Sequence, residues 1–514
     1  MAVSPTSKTL NVGETVQLTG TKNPSTTSEG TQWTSSNTSV ATVSNSGLVT
    51  AKSAGTATIT FKNSASTKSA TCSITVTFGN IVIGASTAFD ATNVLLNYNN
   101  NGKLAWKKDI TTNSYSNAFS CDIKAVVPLK NGDVIVGAGS GGGYDTVIIK
   151  YDKNGNIIWK KSLPTYYYDS KNRYYKIVTI NITNDNNIIV GANSSYDKAE
   201  KVIMKYNSDG NLIWKKNIPA YKSGEYYYVD KVIVTNNNDI IISVDSYSDT
   251  QGKAILKYSS DGNLIWNRKI ATYTDNGSTY FYRIGTINLS KDNSIIIGAN
   301  CGTLVEGSTT SNALIKYDSN GNLVWKKSVT TNTSTNGHKC WIEKISIASD
   351  NNIIVGAGTG DGNESVIIKY NNSGGLVWKK NISTYTDSGS TYFYRIGTMT
   401  ILEDNSIIIG ANCGTLVEGS TTSNALIKYD SNGNLVWKKS VTTNTSTNGH
   451  DCWIKHVYSI GSNNIIVGAG TGSGCETVII KYNSNGNVLW KTSLPKYTYS
   501  NYNEYYRMTE LSVY

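Results

Sequence analysis

One hairpin recurs eight times along the chain: an apolar-alternating strand ending in Tyr, a turn that is usually Asn-Gly or Asp-Gly, and an apolar strand closing on Trp and usually Lys-Lys. The first copy reads VLLNYNNNGKLAWKK and the fifth ALIKYDSNGNLVWKK. Its closing residues are Trp106, Trp159, Trp214, Trp266, Trp325, Trp378, Trp437 and Trp490, spaced 52 to 59 residues apart. A period of that length holds one four-stranded unit, and each unit must bury its faces against its neighbours. A ring of such units, a β-propeller, is the leading reading.

Two further strands precede each hairpin. In the fifth unit they are Arg283 to Leu289 and Ser294 to Ala299, joined by the polar turn Lys291-Asp292-Asn293. The four strands are lettered A to D in chain order, with tight hairpins between A and B and between C and D. The first unit begins at Asn80-Ile81-Val82-Ile83-Gly84-Ala85, which aligns with strand B, and the chain ends in Arg507 to Tyr514, which aligns with strand A. The terminal strand is therefore expected to complete the first unit, giving an eight-bladed β-propeller over residues 78–514 closed by a C-terminal strand.

Only 39% of the 514 residues are hydrophobic and 16% charged, with six Pro and abundant Asn, Ser, Thr, Gly and Tyr, a β-rich composition with wide polar loops. No run of 18 apolar residues occurs, so no membrane insertion is expected. The opening MAVSPTSKTL has no basic segment followed by an apolar one, so no signal peptide is read in this chain. Either a leader was removed or the protein leaves its cell by another route, such as lysis. The net charge of +11 suits polyanions such as teichoic acids or nucleic acid. Many lysines, however, sit in the repeated Trp-Lys-Lys step rather than in one patch, and no nucleic-acid partner is expected.

Residues 1–77 keep a different rhythm, with short stretches TVQLTG, TQWTSS, VATVS, GLVTA and TATITFK between turns such as Asn11-Val12-Gly13-Glu14. Alternating strands with Gly-marked turns predict a β-sandwich. The order Trp33-Thr34-Ser35-Ser36-Asn37, Val40-Ala41-Thr42-Val43, Gly47-Leu48-Val49-Thr50-Ala51 and Gly55-Thr56-Ala57-Thr58-Ile59 resembles the bacterial Ig-like group 2 module. That resemblance implies a spacer, anchor or weak adhesive element of bacterial surface and bacteriophage virion proteins. Trp33 is expected in the sandwich core and Cys72 as a buried thiol.

The repeated Gly-x-x-x-Trp, as in Gly102 to Trp106 and Gly321 to Trp325, resembles the Trp-docking propellers of the quinoprotein-like type. The resemblance implies that each Trp packs between adjacent blades, and the Lys pairs read as charges on an exposed edge strand. Its enzymatic version requires a metal-ligating carboxylate, a catalytic Asp and a stacking platform, and no such set or vicinal Cys-Cys is found. No unit places an Asp or Glu suggestively in the interior of strand A, as a propeller glycosidase would need. Asp318-Ser319-Asn320-Gly321-Asn322 lacks the later Glu of a calcium loop and reads as a turn. His338 and His450, two residues before Cys340 and Cys452, supply no zinc set. The expectation is a non-enzymatic chain with no cofactor and no metal.

Seven cysteines at no metal-binding spacing exclude a disulfide framework. Cys301 and Cys340 fall on one predicted face of adjacent blades, as do Cys413 and Cys452, which leaves two disulfides open.

The B–C and D-to-next-A connections share one face and carry the long loops, so recognition is expected there. These loops combine Tyr with Ser, Gly and Asn, the palette of adaptable binding surfaces, although packing of the channel rim accounts for the same residues equally well. Residues 292–338 and 404–450 are identical over 47 positions, so a two-blade unit of 112 residues is duplicated. The candidate ligand-binding residues are Tyr280, Tyr282 and Trp341, their copies Tyr392, Tyr394 and Trp453, and Tyr166 and Tyr226. A multivalent binder exploits such copying. The expectation is an extracellular interaction protein, a bacteriophage tail, baseplate or capsid-decoration component that binds host surface glycan or a neighbouring virion protein. A secreted bacterial adhesin or lectin and a glycan-degrading propeller enzyme are the alternatives.

Overall fold

The computed structural model describes residues 1–23, 29–53, 55–65, 67–77, 79–87, 92–111, 121–140, 145–168, 170–194, 200–219, 227–246, 253–275, 277–301, 311–332, 340–359, 364–387, 389–414, 423–444, 452–460, 463–470, 476–499 and 502–513. Among them every regular element is a strand, and no helix is long and apolar enough to cross a membrane.

Residues up to Thr77 form the sandwich. One sheet runs Ser7–Asn11, Ser69–Thr77, Gly55–Asn63 and Thr31–Ser35, and a second runs Thr15–Gln17, Leu48–Ala51 and Ala41–Val43. Alternation turns Ile59, Phe61, Cys72, Ile74 and Val49 into a shared core with Leu10 and Leu18. Trp33 packs on Phe61 at a ring-centroid distance of 4.7 Å. Cys72 is a buried thiol, pushed up by burial.

From Ile81 onward the described residues form eight four-stranded antiparallel sheets. The first comprises Ile81–Ser86, Asn93–Tyr98, Leu104–Asp109 and, from the far end of the chain, Arg507–Val513. The others run from Cys121–Pro128 to Ile157–Ser162, Lys176–Ile182 to Leu212–Asn217, Tyr228–Val234 to Leu264–Lys269, and Arg283–Leu289 to Leu323–Val329. The last three run from Trp341–Ile347 to Leu376–Asn381, Arg395–Ile401 to Leu435–Ser440, and Trp453–Ile460 to Val488–Ser493. Strand A is the innermost, because it bonds to strand A of the next sheet. Asn181 Nδ2 donates to the Val232 carbonyl, Asn288 Nδ2 to Ile345, and Ser512 Oγ to Val126, each at 2.8 Å.

The Trp period becomes a closed set of joints. Each indole N–H donates to a carbonyl in the C–D turn of the next sheet at 2.9 to 3.4 Å, from Trp106 to Lys153 through to Trp490, which reaches back to Asn100 in the first sheet. The turn glycine explains the spacing. Gly321 has φ +77°, and a Cβ there would lie 3.0 Å from the Trp266 ring, so only glycine gives both the left-handed turn and the close approach. In the same turn Asp318 Oδ1 accepts from the Asn320 and Asn322 N–H groups at 2.9 and 2.8 Å, which makes it a carboxylate-capped turn.

Two features amend the sequence reading. The first Lys of the Trp-Lys-Lys step is no mere edge charge: Lys379 and Lys491 donate to loop carbonyls, and Lys107 donates to the Tyr506 hydroxyl at 2.8 Å. Every strand A also bulges at one residue, left out of the ladder with strand B. The bulged residues are Lys124, Val178, Asp230, Gly285, Glu343, Gly397, Lys455 and Thr509, so alternate sheets bring a charge to the innermost strand.

Candidate functional site

Four of the D-to-A connections fold into an extra two-stranded hairpin, and these alternate around the ring. They are Thr165–Tyr168 with Lys171–Tyr174, Thr272–Asp275 with Ser278–Phe281, Thr384–Asp387 with Ser390–Phe393, and Lys496–Tyr499 with Tyr502–Tyr505. Each packs one Tyr against the Tyr that leads into strand A: Tyr166 on Tyr175, Tyr273 on Tyr282, Tyr385 on Tyr394 and Tyr497 on Tyr506, at 4.8 to 5.0 Å. A lysine from strand D of the following sheet then covers the second ring, as Lys326 covers Tyr282 and Lys438 covers Tyr394, both at 5.5 Å.

This geometry redistributes the sequence candidates. Tyr282, Tyr394 and Tyr166 are buried in hydrophobic clusters, and the Tyr282 and Tyr394 hydroxyls donate to the Ser311 and Ser423 carbonyls at 3.2 Å. They are packing residues, so their expected place on a binding surface is corrected. In the first hairpin alternation turns Tyr166 inward, whereas Tyr282 and Tyr394 lie just past their hairpins, at the entry to strand A, packed against Tyr273 and Tyr385. Tyr280 is half-buried and stacks on Tyr273 at 5.5 Å, while its copy Tyr392, on Tyr385 at 5.6 Å, is 41% exposed. In the first hairpin the outward residue is Tyr167, 74% exposed, beside the buried Tyr166. Tyr226 lies outside the described residues. Trp341 and Trp453 are 36% and 43% exposed.

Trp341 and Trp453 belong to a larger set that the sequence reading did not assemble. Each immediately precedes the buried apolar residue of strand A, at the long-loop end of the innermost strand. Around the ring that position carries Arg507, Asp122, Lys176, Tyr228, Arg283, Trp341, Arg395 and Trp453, all paired to strand B in equivalent register. Cations on odd sheets thus alternate with three aromatic residues and one Asp on even sheets. The signal was available by aligning the units on the apolar residue that follows, such as Ile284, Ile342 and Ile396.

Deeper along strand A stand the titratable groups. Asp230 and Glu343 are pushed up by burial, partly opposed by Lys231 for Asp230 and by Lys344 and Arg395 for Glu343. Glu510 is pushed up to about 6 by burial. His456 is held down at about 4 by burial and then by Lys455 and Lys344. The expectation that no carboxylate stands in the interior of strand A is therefore corrected. The bulge hid Asp230 and Glu343, because it shifts the alternation by one residue. Ser86, Asn93, Asp122, Ile123, Lys124, Thr509 and Glu510 line a cavity of about 320 Å³ between the first two sheets, with Lys124 paired to Asp122 at 3.0 Å. Among the described residues no three His, Cys, Asp or Glu side chains gather as a metal site. His338 and His450 lie outside the described residues.

The four loop cysteines are buried thiols and are not joined as disulfides. The Asn312 carboxamide separates one pair, accepting from the Cys301 N–H at 2.6 Å and donating to the Cys340 carbonyl, and Asn424 does the same for Cys413 and Cys452. Burial pushes Cys340 and Cys413 up to about 12, which suppresses the reactive thiolate.

Comparison with known proteins places these two regions. The bacterial Ig-like domain (group 2) family matches residues 1–74, and the family described as outer membrane protein assembly factor BamB matches residues 144–387. No curated protein matches the chain. A quinonprotein alcohol dehydrogenase-like protein from Bacteroides thetaiotaomicron is 12% identical, covering 99% of this chain and 96% of its own, with a TM-score of 0.42. A quinohemoprotein alcohol dehydrogenase from Pseudomonas putida is also 12% identical, covering 79% and 73%, with a TM-score of 0.46. A post-proline cleaving enzyme from Rickettsia typhi is 11% identical, covering 76% and 56%, with a TM-score of 0.44. The expectation of a non-enzymatic chain is corrected on this finding, since the solved structures that match include dehydrogenases and peptidases. Identities this low assign none of those activities here. The chain carries an N-terminal bacterial Ig-like group 2 domain followed by a quinoprotein-like β-propeller region.

Proposed function

We propose that this chain is an extracellular interaction protein, a component of a bacteriophage virion, that holds bacterial surface glycan on its long-loop face. One observation carries the reading: Trp341 and Trp453, on the two copies of a duplicated unit, stand exposed at the same register of strand A. Exposed indoles offer flat apolar faces to sugar rings, and two equivalent sites on one rigid ring favour a repeating ligand. The group 2 Ig-like module is the part suited to anchoring or spacing the ring on a particle, where a neighbouring virion protein would be its partner.

The test is sedimentation of the full chain with purified bacterial cell walls. The variant Trp341→Ala with Trp453→Ala is expected to lose binding while its circular dichroism spectrum is unchanged. Full retention would move the binding to the Ig-like module or leave a purely structural role. Labelling of intact phage particles by an antibody to the chain tests the placement, and labelling of bacterial surfaces instead would favour a secreted adhesin.

A glycan-degrading enzyme is the second reading, favoured by the carboxyls of Asp230, Glu343 and Glu510 on the innermost strands. Release of reducing ends from cell walls, lost in Glu343→Gln, is the outcome that would select it.

A further inference from the structure

We propose that Arg283, Trp341, Arg395, Trp453 and Arg507 form a binding arc for an anionic glycan, a sugar polymer that carries phosphate or carboxylate groups. The inference rests on the reading of the long-loop face as glycan-binding and names the ligand class.

Five consecutive sheets contribute one residue each, at one register of the innermost strand, in the order Arg, Trp, Arg, Trp, Arg. Each Trp therefore has a guanidinium on both sides around the ring. A polymer that alternates a ring with an anion meets this pattern in register, the ring on indole and the anion on the guanidinium fork. Arg395 and Arg507 have a buried Nε with no hydrogen-bond partner, so neither guanidinium has its donors fully met within the protein. Arg395 also lies close against Gly414, its Nε 3.5 Å from where a Cβ would stand.

The local field agrees. Lys455 is held below its usual range by burial and then by Arg507. Glu343, the carboxyl that feels Arg395, is pushed up by burial, opposed by Lys344 and Arg395. An anion placed beside Arg507 and Lys455 relieves their mutual repulsion.

A nucleic acid strand would also supply phosphates and stacking rings. Asp122, at the same register on the sheet next to Arg507, and Glu510, deeper on the strand that carries Arg507, place carboxyl groups beside that end of the arc, however, and disfavour a strand with a charge on every residue. They accept hydrogen bonds from the hydroxyls of a sugar, which a polymer with fewer charges presents in abundance.

The experiment measures binding of the full chain to immobilised wall teichoic acid, to polygalacturonate, to dextran and to an oligothymidylate. The first two arms separate phosphate from carboxylate as the anion. Wild-type protein is expected to prefer one or both of them to dextran, and to weaken steeply as salt rises. Arg395→Gln with Arg507→Gln is expected to weaken that binding at least about tenfold. Lys52→Gln with Lys68→Gln, which removes the same charge from exposed sites on the Ig-like module, should leave it unchanged.

Equal binding by the Arg double variant, equal binding of dextran, or a preference for the oligothymidylate would overturn the proposal. Should that variant fail to fold, Arg395→Lys with Arg507→Lys keeps the charge and removes the fork, and the wild-type polymer preference remains decisive without any variant. Dextran or cell-wall binding that ignores both arginines defeats the anionic assignment alone. Absence of any binding to cell walls defeats the glycan reading with it.

Discussion

Glu510 and His456 stand on neighbouring innermost strands and titrate in opposite senses. Glu510 is raised from 4.5 to about 6, so its neutral form suits the fold and stability is lost as pH rises through that window. Glu510→Gln should therefore gain on the order of 2 kcal/mol at pH 8 and nothing at pH 4. His456 is lowered from 6.5 to about 4, so its neutral form suits the fold and stability is lost as pH falls from 6.5 toward 4. His456→Gln should thus be unchanged at pH 8 and protect against acid, by up to about 3 kcal/mol at pH 4. Urea melts across this pH range check both, and parallel curves for wild type and variants would refute the placement of these groups. At this scale the sequence was legible where a residue type answers to one geometry, as at Gly321 beneath Trp266. It was not legible for Glu510 or Asp230, whose position depends on a bulge that no single unit announces.

Hairpins and strands obey simpler rules, and most of them can be read from alternation and turn chemistry. Four strands per unit, the Asn and Gly turns and the closing strand Arg507–Val513 all follow from period and pattern. The tyrosine hairpins did not, because a run such as TYTDNGSTYFY reads as a polar loop until its Tyr pairs are seen stacked. Tyr282 shows the consequence: it was a surface candidate and is a core residue. Tyr282→Ala should destabilise by about 3 to 5 kcal/mol, as expected for a large buried ring, and should be visible in thermal melts without any ligand. Tyr392→Ala, on an exposed ring, should leave stability within about 1 kcal/mol. Deleting 507–514 should leave Ile81–Ser86 as an open edge, with a broader melting transition and aggregation by light scattering. A monodisperse protein with an unchanged transition would show that the first sheet does not depend on that strand.

Closure of the whole molecule sets one joint apart from the other seven. Between most neighbouring sheets the D-to-A connection ties two complete sheets along the chain. Strands B to D of the first sheet have no such tie to the eighth. They are held by the Arg507–Val513 pairing, by the Trp490 and Thr492 bonds to Asn100 and Gly102, by Lys481 on Asn100 and by Lys107 on Tyr506. Loss of one Trp elsewhere loosens a joint that the chain still restrains, whereas loss of Trp490 loosens one held by non-covalent contacts at that end. Local openings should follow the weaker tie. Hydrogen exchange should therefore report faster opening of residues 81–86 and 93–98 in Trp490→Ala, with the other sheets little changed. In Trp214→Ala, whose indole docks on Ser260 in the next sheet, the exchange of residues 240–245 and 254–258 should rise by a smaller factor. Equal acceleration in the two variants would mean that the ring opens as one cooperative unit, and that the meeting of the chain ends is no weaker than any other joint.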